Sequence, residues 1–392
     1  MQTYDVIVIG GGPTGATAAT DLADAGHSVM LLDRRGRIKP CGGAVPPVLL
    51  REFDIPESVL EAKGTDARMI SPTSVKVDMS VGGWVGMVDR AEFDEWLRER
   101  ARTAGATRID GTYKSIESSD GKPTVITYVD KHSGDTCQAS ARYIIGADGA
   151  RSRVARRCIP GADKIPHVFA YHEIVESPAD GTGDFESTRC DVYYQGDVSP
   201  DFYGWVFPHG ERTSVGMGTA HQGYSLRNAT SLLRDRAGLK DAKTVRTEGA
   251  PLPLRPMKRW DNGRDVLVAG DAAGVVAPAS GEGIYYAMHT GRLAAEAVSE
   301  AIETSNPKAL RLARKRFGKA HGRVLFILGI LQKFWYSSDK RREKFVKICR
   351  DPDVQHLTWE AYMNKKLVRA KPVAHVRIFF KDLAHLVGLA PR

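Results

Sequence analysis

Val6-Ile7-Val8-Ile9 is an unbroken apolar run, the pattern of a strand buried on both faces. It leads into Gly10-Gly11-Gly12-Pro13-Thr14-Gly15, and a helix is predicted from about Thr14 to Ala25, stopped by Gly26. His27 to Leu32 reads as a second strand, closed by Asp33. The same grammar returns twice. Tyr143-Ile144-Ile145 is a buried strand before Gly146-Ala147-Asp148-Gly149. Val266 to Ala269 is another, ending in Gly270-Asp271 and followed, after Ser280-Gly281-Glu282-Gly283, by a helix from Ile284 to Ala297. Asp89-Arg90-Ala91-Glu92 has the spacing of a capping box, ahead of a helix with Phe93, Leu97, Ala101 and Ala104 on one face. Residues 161–254 instead carry short strand-like runs (Cys190–Gln195, Thr213–Met217) between turn residues. There Tyr203, Trp205 and Phe207 alternate at spacing two, which puts all three on one side of a strand.

The opening strand, glycine loop, helix, second strand and terminal acid form G-x-G-x-x-G in the context that motif requires. Gly10 permits the tight turn, Gly12 lets backbone approach a pyrophosphate, and Gly15 lets helix and strand pack closely. The amides of Thr14 and Gly15 at the helix start, which follow Pro13, favour an anion. Asp33 can accept from ribose hydroxyls. The motif alone does not separate FAD from NAD(P). Arg34 and Arg35 read as a 2′-phosphate site, as a cap on an adenosine edge, or as solvated surface. A single Gly-Asp pair is more often a turn than a ligand site. Three motifs in this order are far more specific. Asp271 at a strand end can bind a ribityl chain, and the helix that starts at Gly283-Ile284 can stabilise negative charge on a reduced flavin.

Composition adds little until charge is mapped. Hydrophobic residues are 42% and charged residues 26% of 392, ordinary for a globular chain and long enough for two or three domains. The net charge of +9 hides an asymmetry. Residues 311–392 hold 20 Lys and Arg against 6 Asp and Glu, so an acidic body carries a basic, helical tail. The longest apolar run, Val324 to Leu331, is too short to span a bilayer. The start of the chain lacks a signal-peptide pattern, and five scattered cysteines without a CxxC pair support neither a disulfide framework nor a metal site. Together these point to a reducing cytoplasm.

Gly10–Gly15, Asp148-Gly149 and Gly270-Asp271 resemble the FAD-binding fold of aromatic hydroxylases. Lys39-Pro-Cys-Gly-Gly-Ala-Val-Pro-Pro47, and Tyr203-Gly-Trp-Val-Phe-Pro208 followed by Gly216-Met-Gly218, narrow this to a resemblance to the geranylgeranyl reductase family. Val85–Arg90 and Ala277–Tyr286 are most similar to its members in chlorophyll and bacteriochlorophyll synthesis. Asp33 departs from the pattern, since many relatives carry Glu. The resemblance implies an α/β fold: a discontinuous Rossmann-type FAD domain (1–70, 86–160, 255–310), a β-rich substrate domain (71–85, 161–254) and a helical C-terminal region (311–392).

The resemblance also implies reduction of the C=C bonds of a geranylgeranyl chain to phytyl, as the diphosphate or as a (bacterio)chlorophyll ester. NADPH or a reduced ferredoxin would recharge FAD. Cys41, Gly42, Gly43 and Ala44 would lie at the flavin ring, with Arg90, Gly281, Gly283 and Ile284 nearby. Cys41 is a candidate proton donor or a small packing residue, and His209 is a weaker candidate. Arg90 reads equally as cofactor contact or solvated surface. Tyr203, Trp205, Phe207, Pro208, Gly216 and Gly218 would line the prenyl site, although alternation alone fits a core face as well. The tail reads either as a patch on the photosynthetic membrane, near chlorophyll synthase, or as a solvated helix face. Nucleic-acid binding is not expected. The competing readings are an archaeal-type prenyl-lipid reductase, a flavin monooxygenase of an aromatic substrate, and a non-enzymatic pigment or prenyl carrier.

Overall fold

The computed structural model describes residues 1–34, 36, 38–118 and 121–365. The apolar opening run lies in β1 (Gln2–Ile9), whose last four residues are buried. α1 (Pro13–Asp24) and β2 (Val29–Asp33) follow. The chain then builds β3 (Ala44–Val45), α2 (Pro47–Glu52), β4 (Ala62–Ile70) and β5 (Lys76–Met87). Next come α3 (Arg90–Thr103), β6 (Thr107–Glu117), β7 (Thr124–Asp130), β8 (Thr136–Gly146) and α4 (Arg153–Cys158). β9 (His167–Glu176), β10 (Arg189–Tyr193), β11 (Gly204–His209) and β12 (Arg212–Thr219) precede α5 (Leu226–Arg236) and β13 (Thr244–Pro253). The described chain ends with β14 (Val266–Val268) and four helices, α6 (Ile284–Glu303), α7 (Arg311–Trp335), α8 (Asp339–Ile348) and α9 (Pro352–Met363).

These elements form two compact units. The first takes Met1–Cys41, Asp89–Val168 and Ala250–Gly329. In its sheet β1 pairs in parallel with β2 and β8, β2 with β6, and β8 with β14. β7 runs antiparallel to β6 and β8. This is the parallel βαβ order the opening motif predicts. α1 and α6 approach closely because Gly291 has no side chain: a Cβ there would strike the carbonyl of Thr14.

The second unit takes Gly42–Val88, Phe169–Gly249 and the described chain from Ile330 to Lys365. Its eight strands run in the order β13-β9-β12-β11-β10-β4-β5-β3. One face packs Val175, Val206, Val215 and Met217 against Leu233 of α5. Residues 42–70, expected with the dinucleotide-binding domain, belong here instead. The cause is hydrogen bonding: β3 and β4 pair with β5, and β4 pairs with β10.

The helical C-terminal region is not a body of its own. The first part of α7 lies against the first unit, where Arg316 reaches Glu296 at 3.1 Å and Glu300 at 2.8 Å. The chain after it lies in the second unit, where Trp359, Tyr362 and Met363 of α9 pack on Ala67, Val85 and Met87. Residues 366–392 of the basic tail fall outside the described residues. No described helix is long and apolar enough to cross a membrane.

Candidate active site

The glycines of the first loop meet three different demands. Gly10 has φ +107°, and a Cβ there would strike the Ala147 carbonyl. At Gly15 a Cβ would strike the carbonyl of Gly10. At Gly12 it would meet nothing within 4 Å, so here the requirement comes from the space beside the loop. α1 begins at Pro13 with no side chain capping it. Its first amides therefore stay available to an anion in that space.

Asp33 ends β2 at the edge of this cradle. Burial pushes its carboxyl above the ordinary range, against hydrogen bonds from the Gly11 and Arg34 amides and the charge of Arg98. Arg98, on α3, bridges the Gly11 carbonyl and Asp33 Oδ2, both at 3.2 Å. Glu95 holds the same guanidinium at 2.8 and 3.0 Å. The Arg108 hydrogen bonds, then those of Arg98, draw the Glu95 carboxyl down to about 2.

A second acid lies where β14 ends. Gly270 has φ +62°, and a Cβ there would strike the Thr14 hydroxyl, while its amide donates to Thr290 Oγ1 at 3.0 Å. Asp271 follows, is buried, and pairs with Lys39. The Cβ position of Gly283 is 3.9 Å from Asp271 Oδ1, so the loop before α6 closes beside this carboxylate. Gly281 turns that loop at φ +64°. Glu282 Oε1 accepts from the Tyr285 amide at 3.0 Å, beside Ile284 in the first turn of α6.

Asp148 and Arg90 are bound by the protein itself. Asp148 accepts from the Ser152 hydroxyl and from the amides of Arg153 (2.7 Å) and Val154 (3.2 Å), which fixes the start of α4. Burial raises its carboxyl despite these donors. Arg90 is buried, not solvated, and pairs in bidentate fashion with Asp94 at 2.8 and 2.7 Å. Burial opposes its charge, yet Asp94 and then Cys41 outweigh it and hold the guanidinium above its ordinary value.

Cys41 is the last residue of the first unit, and Gly42 opens the second. Within the second unit, β11 grips the glycine turn. His209 Nε2 donates to the Gly42 carbonyl at 3.0 Å, which leaves Nδ1 at 3.8 Å from Glu61. Gly43 has φ +78°, and a Cβ there would strike the His209 ring. The Cβ position of Gly42 is 3.4 Å from Phe207 and 3.6 Å from Trp205 Nε1. Ala44 is held by strand pairing with Met87.

Tyr203, Trp205 and Phe207 form a row, with ring centroids 6.1 and 6.3 Å apart. They lie on the face opposite Val206 and the α5 core, although β11 itself starts one residue after Tyr203. Gly216 stands opposite Trp205, and its Cβ position is taken by Trp205 and His172. Pro208 pairs with Thr213, and the Gly218 amide donates to the Tyr203 carbonyl at 3.3 Å.

The first unit thus brings together Gly10–Gly15, Asp33, Gly270, Asp271 and Gly281–Ile284. Arg34 is exposed, and Arg35 lies outside the described residues. Arg98 and Lys39 were not singled out in the sequence. Arg98 had a signal: Arg90, Asp94 and Arg98 place charge at i, i+4 and i+8 on the apolar face of α3. Lys39 had none beyond opening the Lys39–Pro47 motif, because its partner is 232 residues away.

The sequence profile of the pyridine nucleotide-disulphide oxidoreductase family matches residues 4–184. Fold, cradle and profile together define a dinucleotide-binding oxidoreductase. A crystal structure of a geranylgeranyl bacteriochlorophyll reductase-like protein from Thermoplasma acidophilum matches with a TM-score of 0.82 at 23% identity, over 95% of this chain and all of that one. The chain is 56% identical to a geranylgeranyl diphosphate reductase of Rhodobacter capsulatus over 99% of its own length and 98% of that protein. It is 36% identical to the one from Synechocystis over 98% and 99%. The chain belongs to the geranylgeranyl diphosphate reductase family.

Proposed function

We propose that the protein is a FAD-dependent reductase that hydrogenates the C=C bonds of a geranylgeranyl chain, carried as the diphosphate or as a (bacterio)chlorophyll ester. The observation that carries this reading is likeness at 56% identity, over 99% of the chain, to a geranylgeranyl diphosphate reductase. The residues of the first unit fit FAD. The open Cβ position at Gly12 and the uncapped α1 suit a pyrophosphate, Asp33 a ribose, and Asp271 a ribityl chain. Bound there and reduced by NADPH or a ferredoxin-like donor, FAD would supply the hydride.

The chain's own residues do the rest. An isolated alkene offers no carbonyl to polarise, so positioning and exclusion of water dominate. The row Tyr203-Trp205-Phe207 provides an apolar wall for a prenyl chain. Cys41, hydrogen-bonded to Arg90, is a candidate to hold the proton delivered to the second carbon.

On α7, Lys319, Arg323, Phe326, Ile330 and Lys333 share one helical face, with Phe326 69% and Ile330 52% exposed. This face suits an anionic membrane surface, where a pigment substrate and the chlorophyll synthase that handles it would be met.

The test is anaerobic. Protein reconstituted with FAD is reduced, then mixed with geranylgeranyl diphosphate, with geranylgeranylated pigment, or with an unsaturated archaeal-type lipid. Return of oxidised-flavin absorbance with either of the first two supports the reading. Persistence of reduced flavin with both overturns it, and a response to the lipid alone moves the substrate to the archaeal class.

A further inference from the structure

The sheet face that carries Trp205 also carries a chain of polar groups with one direction. Trp205 Nε1 can only donate, and it donates to Ser214 Oγ at 3.1 Å. Ser214 Oγ is 3.0 Å from His172 Nδ1, and His172 Nε2 is 3.0 Å from Glu248 Oε2. A carboxylate accepts, so Nε2 bears a ring hydrogen, and in the neutral imidazole Nδ1 then accepts from the serine hydroxyl. Each hydrogen then has a single place. Ser214 is fully buried and His172 nearly so. The chain crosses β11, β12, β9 and β13, and the bare Gly216 between His172 and Trp205 lets the rings lie close.

Such a network has a cost that needs a reason. Opposite it, the same sheet packs Val206, Val215 and Met217 against α5, with Glu173 paired to Arg234 at the side. Tyr203 and Phe207 on the Trp205 face are oriented by ring contacts. Trp205 in that row is tied through its ring nitrogen. A prenyl chain has no polar group along its length, so its register must be set by the shape of the wall it lies on.

We propose that Glu248, His172 and Ser214 are positioning residues that lock the Trp205 indole, and that this locked ring sets which double bond of the prenyl chain is presented for reduction. The proposal rests on the reductase reading above. Loss of the lock leaves the hydride source intact. It loosens chain register, so KM rises and partly reduced products build up, while flavin reduction by the donor is unchanged.

The experiment compares Ser214→Ala, His172→Leu and His172→Asn in the FAD-loaded full chain. Asn places an amide oxygen where Nδ1 stands and can still accept from Ser214, whereas Leu cannot. The readouts are the ratio of partly to fully reduced product, kcat and KM separately, and the near-ultraviolet circular dichroism of Trp205, isolated by subtracting the Trp205→Phe spectrum.

Ser214→Ala and His172→Leu should weaken the Trp205 band, lower kcat/KM about tenfold, mainly through KM, and shift the product ratio. His172→Asn should restore all three to within about threefold of the parent. An unchanged band and product ratio in Ser214→Ala overturns the proposal, as does a His172→Asn variant no better than His172→Leu. If Ser214→Ala does not fold, the Asn and Leu pair decides. A parent enzyme that reduces no prenyl substrate refutes the reductase reading instead, and the dichroism still tests the lock.

Discussion

Gly12 shows how one residue can be constrained by what the protein leaves open. Gly10 and Gly15 are forced by neighbouring backbone, but a side chain at Gly12 would touch no protein atom within 4 Å. Gly12→Val should therefore fold normally and lose FAD, because its methyls occupy the space the pyrophosphate needs. Flavin absorbance per polypeptide after gel filtration checks this, and a normal flavin content would refute the assignment. Such constraints were readable in the sequence because the glycines that meet them fall within six consecutive positions, even though Gly10 is pressed by the distant Ala147. Lys39–Asp271 and Arg98–Asp33 were not, since the partners lie 232 and 65 residues apart and no local pattern links them. Asp148 was readable only as a Gly-Asp signature. Its oxygens turn out to be spent on Ser152 and the start of α4.

At the scale of elements, α3 and β11 place the charged and aromatic groups. α3 was legible from its cap and its Phe93, Leu97 and Ala101 stripe, and Asp89 does accept from the Ala91 amide at 2.7 Å. Ala104, expected on that stripe, falls after the last turn. The stripe also carries Arg90 and Asp94, each about 5% exposed. Removing one partner of a buried pair strands the other charge. Asp94→Asn should cost about 3–5 kcal/mol of unfolding free energy, measurable by denaturant titration. A change under about 1 kcal/mol would mean that Cys41 or water compensates for the lost carboxylate. β11 shows the limit of periodicity. Alternation put Tyr203, Trp205 and Phe207 on one face, yet it could not say which face was the core. That was decided by Val206 packing with Val215, Met217 and Leu233.

For the whole molecule, the α/β class and the β-rich second part followed from the order of strand and helix patterns. The division of residues 42–70 did not, because β4 pairs with β10, whose sequence lies more than a hundred positions away. The charge asymmetry survives as a feature of α7, which holds seven basic residues and no acid. The full chain should bind vesicles containing anionic lipid and release as salt screens the attraction. Phe326→Ser with Ile330→Ser should reduce sedimentation with vesicles without changing FAD content. Equal partitioning into neutral and anionic vesicles would remove the membrane role.

The central claim concerns chemistry on a prenyl chain. The most direct measurement is the mass of the product formed anaerobically from geranylgeranylated pigment or geranylgeranyl diphosphate by the reduced, FAD-loaded protein. The account predicts stepwise gains of two hydrogens, ending at the phytyl chain. Unchanged mass with both substrates, or gain of oxygen when air is admitted, would contradict it.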